Sequence, residues 1–370
     1  MNKASQMPVT ENRRVVVAMS GGVDSATAAA MLLDRGYQVI GMMMRLWAEE
    51  GAASAGVSAN RCCSPQAVDN AQQVCQLLSI PFYLVNYEQE FEQHVVDHFV
   101  AEYLRGRTPN PCLYCNRQIK FDLLLHHALT LDAQYLATGH YARICEADGV
   151  YRLCKGVDPT KDQSYVLYML GQKELRHLLF PLGDYTKTQV RAIARQWALP
   201  VAEQEESQDL CFVRDNDYRR FLRERAPKAI KPGPIFDSAG RLLGEHKGLP
   251  FYTIGQRSGM GISAPEALYV REVDPSRNAL IVGPASELGR SELVAEEVSY
   301  VSGHAPRAPI QVTAKIRRQA RLARATLTPL AESRAQLAFT RPLRDITSGQ
   351  GVVFYEEEVV LGGGIITSAS

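Results

Sequence analysis

Residues 15–25 read VVVAMSGGVDS, and this stretch decides how the first half of the chain folds. Its first three residues are β-branched and apolar, the pattern of a strand buried on both faces of a parallel sheet. The run stops at SGG, residues 20–22, where glycine permits a tight turn and a close approach of the backbone to a ligand. An Ala-rich segment from Ala26 to Leu33 follows and ends at Gly36, as a helix does. We therefore predict a strand, a glycine turn and the N-terminus of a helix.

Such a turn is an anion-binding site, because unpaired N–H groups and the positive end of the helix dipole face it. It is not a Walker A loop, which ends in Gly-Lys-Ser/Thr, and it is not GxGxxG. Without a lysine in the loop, the backbone and the hydroxyls of Ser20 and Ser25 are expected to bind phosphates. Asp24 is a candidate contact for Mg²⁺, which prefers carboxylate oxygen. An ordinary βα turn with no ligand is the alternative.

Strand and helix patterns alternate as far as residue 199. Residues 38–47, 81–85 and 132–140 have the pattern of strands, and helices are predicted from Ser64, over 91–104 and over 187–199. This alternation predicts a doubly wound α/β domain with a parallel sheet. The C-terminal ends of such strands line the ligand crevice. We therefore expect Met44 to contact an adenine ring and Gly139 and His140 to face the ligand, with core packing as the alternative for Met44 and His140.

Eight cysteines are present, and none lies after Cys211. A disulfide framework is typical of small secreted domains, so several of these thiols are interpreted as buried apolar residues and a few as candidate reactive thiols or metal ligands. The exception is RTPNPCLYCNRQIKF at 107–121, predicted as an irregular loop with a helix from Ile119. Cys112 and Cys115 lie within reach of one another there, and the basic residues beside them favour a thiolate. A CxxC pair alone fits a zinc half-site, a redox pair or iron–sulfur ligands.

Composition changes near residue 215, where short apolar segments rich in Gly and Pro begin to predict β-structure. Residues 219–257 hold nine Lys and Arg against three Asp and Glu, and residues 301–345 hold nine against two. Basic β modules suit a phosphate backbone, whereas a solvated barrel surface is the alternative. The whole chain has a net charge of only +1.

No apolar run approaches the roughly 18 residues of a membrane helix, and no signal sequence is apparent, so a cytoplasmic protein without membrane contact is expected.

Five motifs stand in order in the first 212 residues: SGGVDS at 20–25, TPNPCLYCNRQIKF at 108–121, ATGHY at 137–141, KDQSY at 161–165 and ESQDLCF at 206–212. Together they resemble the tRNA-specific 2-thiouridylases of the N-type ATP pyrophosphatase superfamily. The resemblance implies an adenine nucleotide alpha hydrolase-like catalytic domain at 1–214. It further implies a central β-rich tRNA-binding domain at 215–284 and a C-terminal β-barrel at 285–370.

The resemblance also assigns roles to residues. By match, Cys115 is the nucleophile and Cys211 carries a persulfide. The implied ATP contacts are Ala18, Met19, Ser20, Gly21, Gly22, Val23, Asp24, Ser25, Met44 and Gly139. The implied contacts with the target base are Asn110, Pro111 and Cys112. The implied tRNA contacts are His140, Lys161, Asp162, Gln163, Arg317, Arg318 and Gln350.

The implied activity is that of a tRNA-uridine 2-sulfurtransferase. ATP, bound with Mg²⁺, adenylates the C2 oxygen of the wobble uridine, and a sulfur nucleophile then replaces that oxygen and releases AMP. The implied partners are the tRNA anticodon stem-loop and a sulfur donor, such as a cysteine desulfurase or a sulfur-relay protein. The target base leaves its stack at little cost in a single-stranded loop.

One departure leaves the sulfur chemistry open. Many members of the family have Asp at the position of Cys112. Here Cys112, Cys115 and Cys211 are candidates to hold a 4Fe–4S cluster whose fourth iron carries sulfide. A persulfide relay and a cluster therefore remain as alternatives. Two further hypotheses are another ATP pyrophosphatase, such as a lysidine synthetase-like or amidating enzyme, and a non-catalytic tRNA-binding protein.

Overall fold

The computed structural model describes residues 13–47, 49, 64–204, 210–213 and 215–370. They form two compact units. The first contains the described residues up to 92, together with 116–164 and those within 172–214. The second contains residues 93–115, 165–171 and the described residues from 215 to 370.

The strands in chain order are β1 (Arg14–Met19), β2 (Gln38–Arg45), β3 (Phe82–Asn86), β4 (Tyr135–Ala137), β5 (Ala142–Ala147), β6 (Val150–Lys155), β7 (Leu178–Leu179), β8 (Gly233–Asp237), β9 (Leu242–His246), β10 (Leu268–Asp274), β11 (Ala279–Pro284), β12 (Arg290–Tyr300), β13 (Ile310–Lys315), β14 (Ala323–Leu330), β15 (Arg334–Leu343), β16 (Gly351–Glu356) and β17 (Val359–Ala369). The helices are α1 (Val23–Asp34), α2 (Pro65–Leu77), α3 (Glu88–Phe91), α4 (Asp97–Leu104), α5 (Pro111–Tyr114), α6 (Leu125–Thr130), α7 (Gln172–Leu175), α8 (Lys187–Gln196) and α9 (Tyr218–Arg225). Glu92–Val96 and Cys115–Leu124 are π-helical, and Ser164–Val166, Leu249–Phe251 and Ala285–Glu287 form short 3₁₀ turns.

The first unit is built on a five-stranded sheet in the order β3-β2-β1-β4-β7, in which all neighbours are parallel. β1 is central, since Val16 pairs with Ile40 on one side and with Leu136 on the other. Val15 to Val17 are fully buried, as expected of a strand covered on both faces. The predicted parallel α/β sheet is confirmed.

α1 follows the glycine turn and packs closely because its residues are small. Ala28, Ala29 and Ala30 have no exposed area. α1 also packs against α8, whose Val190 and Ala194 belong to the same apolar core. This packing has a consequence for the site, because the first turns of the two helices meet.

The second unit contains two β-structures. The strands β10-β11-β8-β9 form a mixed sheet in that order, with β8 and β11 parallel and the other pairs antiparallel. The strands β12-β15-β14-β13-β16-β17 are antiparallel neighbours, and a further pairing of β12 with β17 closes a six-stranded barrel. Apolar and polar residues alternate in the sequence at 311–316, 335–340 and 351–355, as is typical of strands, and these ranges correspond to β13, β15 and β16. The prediction of β-rich modules after the α/β domain is confirmed.

Two segments from the first half of the chain join the barrel in this second unit. The Thr108 N–H donates to the Ser348 carbonyl at 2.8 Å, and the Tyr165 hydroxyl donates to the Gly351 carbonyl at 2.8 Å. The domain boundaries expected from the sequence, 1–214, 215–284 and 285–370, stay a prediction. Among the helices of the described ranges, none is long and apolar enough to span a bilayer.

Two helix starts were predicted too late. Helix formation begins at Glu88 and not at Phe91, because the Asn86 side chain accepts the N–H of Glu88 at 3.0 Å. The expectation of an irregular loop until Ile119 is also wrong, since α5 begins at Pro111. Asn110 is its N-cap and proline occupies its first turn, the two residue types that favour a helix start.

Candidate active site

The predicted ATP loop connects β1 to α1, and its backbone requires glycine at one position. Gly21 has φ +72°, and a Cβ there would lie 2.3 Å from the carbonyl oxygen of Ala67 in α2. The close approach is fixed because Ser64 caps α2, accepting the Ala67 N–H at 3.1 Å. The glycine turn therefore packs against α2, and this packing fixes the shape of the turn before any ligand binds.

The two hydroxyls of the loop lie together. The oxygens of Ser20 and Ser25 are 3.1 Å apart, and the Ser20 N–H donates to the Ser25 hydroxyl at 3.1 Å. Gly22 is the N-cap of α1 and has no side chain with which to cap it, so a bound anion would take the place of a capping group. These contacts keep Ser20, Gly22 and Ser25 as candidate phosphate ligands.

A lysine reaches this loop from outside its sequence. Lys187 Nζ lies 2.8 and 2.9 Å from the two carboxylate oxygens of Asp24. The Tyr141 hydroxyl donates to the same carboxylate at 2.7 Å. The loop itself contains no lysine, and the expectation that its backbone and hydroxyls bind phosphates stays a prediction. The structure adds Lys187, which α8 brings to Asp24 from 163 residues further along the chain.

Lys187 is positioned by the way α8 begins. Thr186 and Gln189 form a capping box, and the Lys187 N–H donates to Asp158 Oδ2 at 3.0 Å. Hydrogen bonds from the Thr160 hydroxyl and then from the Lys187 backbone lower the pKa of Asp158. A lysine in the first turn of a helix is opposed by the helix dipole. This unfavourable placement of a positive charge indicates that Lys187 has a role outside the helix, although it does not indicate which residue Lys187 contacts.

Gly139 stands at the end of β4 against the start of α1. A Cβ at this position would lie 2.9 Å from the Asp24 carbonyl carbon and 2.9 Å from the Ser25 nitrogen. A larger residue would therefore push on the ATP loop itself. The structure thus brings Gly139 to the loop, as expected for a residue at this strand end.

His140 is buried beside this glycine. Its Nδ1 lies 2.7 Å from the Thr138 hydroxyl, and its ring packs against Phe121 and Phe180 at 5.8 and 5.9 Å. Burial, assisted by the charge of Lys120, holds the pKa of His140 well below its usual range. These are the surroundings of a neutral core histidine, and its contact with tRNA stays a prediction.

The loop after β6 carries the KDQSY motif. The Asp162 carboxylate accepts N–H groups of Gly156 and Ser164, both at 3.1 Å, so it organises the loop internally. Gln163 Oε1 accepts the Tyr141 N–H at 2.9 Å. Since the Tyr141 hydroxyl binds Asp24, this tyrosine links the KDQSY loop to the ATP loop. Lys161, expected from the sequence to contact tRNA, is half-buried in the same loop.

The remaining expected ATP contacts are in the core or at its edge. Met44 lies in β2, paired with Val85, and is 8% exposed. Met19 and Val23 are buried and Ala18 is half-buried. These positions at strand ends and at the start of α1 agree with the expected crevice, and each contact with adenine or phosphate stays a prediction.

In the second unit, the CxxC segment forms the start of a helix. Asn110 Oδ1 accepts the Cys112 N–H at 3.1 Å, and Pro111 is buried. Cys112 is exposed and Cys115 is buried. The two thiols, predicted to lie within reach of one another in a loop, therefore have different surroundings along one helical stretch.

The barrel holds this segment through Gln350. Its Nε2 donates to the Thr108 carbonyl at 2.8 Å. The adjacent Gly349 has φ +90°, and a Cβ there would lie 2.9 Å from the Thr108 nitrogen. Gln350, matched by resemblance to a tRNA contact, therefore also positions the turn that leads to Asn110 and Cys112.

Arg317 and Arg318 are exposed on the same barrel. Arg317 forms an ion pair with Asp345 at 2.7 Å. The exposed positive charge of Arg317 and Arg318 agrees with their predicted role in tRNA binding, although the charge of Arg317 is paired with the Asp345 carboxylate.

Cys211 belongs to the first unit, in a turn directly after residues 205–209. Those residues, like Cys62 and Cys63, lie outside the described ranges, so the ESQDLCF motif is described only from Leu210 onward. Cys211 is half-buried, and the neighbouring Phe212 packs against Phe91 with ring centres 5.9 Å apart. Cys115 belongs to the second unit.

Within the residues that the structure describes, no group of three His, Cys, Asp or Glu side chains is assembled for a metal ion. The 4Fe–4S cluster at Cys112, Cys115 and Cys211 is implied by the resemblance alone. The cluster therefore stays a prediction.

Three family models match successive parts of the chain. The model described as tRNA methyl transferase HUP domain matches residues 13–215. The tRNA methyl transferase PRC-barrel domain matches 219–284, and the Aminomethyltransferase beta-barrel domain matches 290–366. The order agrees with a parallel α/β sheet followed by two β-structures.

Curated relatives match along almost the whole length. A protein of Moorella thermoacetica named tRNA-specific 2-thiouridylase MnmA is 50% identical over 357 residues, which are 96% of this chain and 99% of that protein. One of the same name from Pelotomaculum thermopropionicum is 47% identical over 97% of this chain and 98% of its own. Among solved structures, NMN synthetase from Francisella tularensis is 15% identical with a TM-score of 0.33, over 59% of this chain and 79% of that one.

Proposed function

The chain belongs to the family of the tRNA-specific 2-thiouridylases, and we propose that it is a tRNA-uridine 2-sulfurtransferase acting on the wobble uridine. The relatives that bear this name match it end to end. The observation that carries the proposal is the convergence at the start of α1. There a glycine turn, two hydroxyls and the Lys187 ammonium group meet. The enzyme is placed in the cytoplasm as part of the same proposal.

The first step is the adenylation of the uridine C2 oxygen. The N–H groups at the start of α1 and the Ser20 and Ser25 hydroxyls bind the phosphates of ATP, which enters with Mg²⁺. Lys187 supplies the positive charge that a Walker A lysine supplies in other ATP-binding loops. Asp24 holds that lysine ready, and a Mg²⁺ contact at Asp24 would compete with it. The oxygen attacks the α-phosphorus, pyrophosphate leaves, and C2 acquires AMP as a leaving group.

The second step replaces AMP by sulfur. Cys211 carries the donor's sulfur as a persulfide, and Cys115 is the nucleophile. As the sulfur passes to C2 and displaces AMP, its S–S bond to the cysteine is broken by a thiol, and the two cysteine sulfurs are left as a disulfide. An external dithiol reduces that disulfide before the next turnover. The Asn110 cap and the Gln350 contact support the proposal by fixing the segment that presents the base-contacting residues. The net exchange is the C2 oxygen for sulfur, with the oxygen leaving on AMP.

Substrate binding is assigned to the positive charge of the β-structures. The exposed side chains of Arg317 and Arg318 suit the phosphates of an anticodon stem-loop. A wobble base in a single-stranded loop is unstacked at a cost of only a few kcal/mol. The sulfur donor is proposed as a protein that delivers sulfane sulfur.

The test is nucleoside mass spectrometry of an unmodified tRNA transcript incubated anoxically with protein, ATP and Mg²⁺. A cysteine desulfurase with cysteine supplies sulfane sulfur, and a dithiol is the reductant. Wild type is expected to form 2-thiouridine, and Cys115→Ala to form none. Cys145→Ala, which removes an exposed thiol from β5, is the matched control and is expected to keep activity. The Cys211→Ala and Cys112→Ala variants, with and without added iron, distinguish a persulfide relay from a cluster.

Other products would overturn the proposal. AMP formation without 2-thiouridine would keep the ATP site but identify a different acceptor, as in a lysidine synthetase-like enzyme. Absence of both products would favour a non-catalytic tRNA-binding protein. A methylated nucleoside formed from S-adenosylmethionine would instead support the activity named in the descriptions of two of the matching family models.

A further inference from the structure

Two cysteines that the proposed chemistry does not use lie side by side. Cys154 Sγ donates to Cys145 Sγ at 3.4 Å, between residues nine positions apart. Both belong to the β5–β6 hairpin of the first unit, which turns at Asp148 and Gly149. The sequence gives no signal for this contact, because the two residues are separated by an ordinary polar turn.

The register of the hairpin explains the contact. Cys145 pairs with Arg152 and Cys154 pairs with Arg143. Arg152, which lies opposite Cys145, and Cys154 are two residues apart on β6. Because side chains alternate between faces along a strand, Cys154 and Arg152 point to the same face as Cys145. The two thiols are therefore diagonal neighbours, a relationship that brings side chains of adjacent strands into contact. The pairing of β5 with β6 continues on both sides of them, so the hairpin holds the sulfurs at this distance.

The two sulfurs differ in access. Cys145 is exposed, whereas Cys154 is buried and only 5% exposed. Burial, together with the neighbouring Cys145, raises the pKa of Cys154 to about 12, while Arg143 and Arg152 act in the opposite direction. An exposed thiol with a second thiol directly behind it is the arrangement of an attacking and a resolving cysteine.

We propose that Cys145 and Cys154 form a reversible dithiol–disulfide site that reacts with small disulfides such as oxidised glutathione. This inference is independent of the sulfur transfer proposed above, because it needs neither ATP nor tRNA. The site is a modification site on the hairpin that connects Tyr141, whose hydroxyl contacts Asp24 of the ATP loop, to the KDQSY loop.

The reaction is an exchange in two steps. The Cys145 thiolate attacks one sulfur of the small disulfide, whose S–S bond breaks and releases one thiolate. Cys154 then gives its proton to solvent and attacks the Cys145 sulfur, which displaces the second thiolate. The cysteine pair loses two electrons and two protons, and the small disulfide is reduced to two thiols. Excess glutathione or a dithiol reverses both steps.

The test is peptide mapping of the full-length protein after equilibration with glutathione buffers of increasing oxidised fraction, acid quenching and alkylation. Trypsin cleavage after Arg143, Arg152 and Lys155 would separate Cys145 and Cys154 into peptides 144–152 and 153–155. The disulfide therefore appears as these two peptides joined, two hydrogen masses below their sum. Cys112 and Cys115 share the peptide 108–117, so a bridge between them joins no peptides and cannot be mistaken for this one.

The joined pair is expected to exceed the glutathione adduct of Cys145 by about tenfold, because the second thiol is already in place. Cys145→Ser is expected to abolish the joined pair and to leave Cys154 unmodified. As this variant changes an exposed side chain, it should keep the wild-type melting temperature. Cys154→Ala is expected to leave only the glutathione adduct on Cys145.

Three results would overturn the proposal. The first is a glutathione adduct on Cys145 in the wild type without the joined peptides. The second is full alkylation of both cysteines in the most oxidised buffer. The third is a joined pair that appears only after the protein has been unfolded, since that product would not come from the folded hairpin.

Discussion

Lys187 Nζ and the Asp24 carboxylate are joined by two contacts, of 2.8 and 2.9 Å, across 163 residues of sequence. The lysine side chain is 11% exposed and the aspartate 32%. The pair is therefore neither a surface ion pair, which contributes little, nor a fully desolvated one. Its position at the start of α1 gives it a role in the site beyond stability.

Lys187→Met is expected to lower the rate of tRNA-dependent AMP formation by about 10²-fold, because it removes a preorganised cation from the phosphates. Lys187→Arg should retain part of the rate, since it keeps the charge in altered geometry. The measurement is AMP release under saturating tRNA. Arg195→Met, two turns along the same helix and 56% exposed, is the control and should behave as wild type. Equal rates for Lys187→Met and wild type would remove Lys187 from the site.

Gly21→Ala is expected to destabilise the protein and to abolish binding of an ATP analogue. The matched control is Gly149→Ala, because the φ angles of the two glycines are +72° and +73° and nothing lies within 4 Å of a Cβ at Gly149. Gly149→Ala measures the loss of folding free energy that arises from placing a Cβ on a residue with a left-handed backbone, about 1–2 kcal/mol. The excess loss in Gly21→Ala then reports the clash with Ala67. Equal melting temperatures for the two variants would contradict the described turn.

His140 predicts a pH dependence of stability. Its folded-state pKa lies well below its usual value, so below about pH 6.5 the unfolded chain binds a proton that the folded chain does not. The stabilisation is therefore present above that pH and is lost as the pH falls, by about 1.4 kcal/mol per pH unit. Melting temperatures of wild type and His140→Gln at several pH values test this. The stability advantage of the wild type should shrink in acid, and a constant difference would contradict a buried neutral histidine.

Gln350 and Arg318 are expected to affect different kinetic constants. Gln350→Ala removes the hydrogen bond to Thr108 and should lower kcat for 2-thiouridine formation, because the CxxC segment loses a support. Arg318→Ala removes an exposed charge and should raise KM for tRNA while lowering the salt dependence of binding by about one ion. If Gln350→Ala and Arg318→Ala both raised KM for tRNA and neither changed kcat, both residues would be assigned to tRNA binding alone, and the positioning role of Gln350 would be contradicted.

Local patterns predicted much of this fold. The valine run, the glycine turn and the small residues of α1 specify a buried strand, a tight turn and a closely packed helix. Each of these depends on residues adjacent in sequence. Asn110 and Pro111 were equally local signals of a helix start, but the surrounding prolines were interpreted as a loop.

Contacts between distant residues could not be predicted in the same way. Nothing near Lys187 indicates that packing of α8 on α1 brings it to Asp24, and nothing near Thr108 indicates its bond to Gln350. Likewise, the closing pair of the barrel, β12 with β17, depends on strands at opposite ends of that module. The resemblance to a known family named several residues of the site, but it did not name Lys187.

The central claim is that ATP activates the C2 oxygen of the wobble uridine. It is tested by mass spectrometry of the AMP produced from an anticodon stem-loop whose wobble uridine carries ¹⁸O at C2. We predict one ¹⁸O atom in each AMP, formed in a one-to-one ratio with 2-thiouridine. Unlabelled AMP accompanying 2-thiouridine would show that the oxygen leaves by another route and would contradict adenylation.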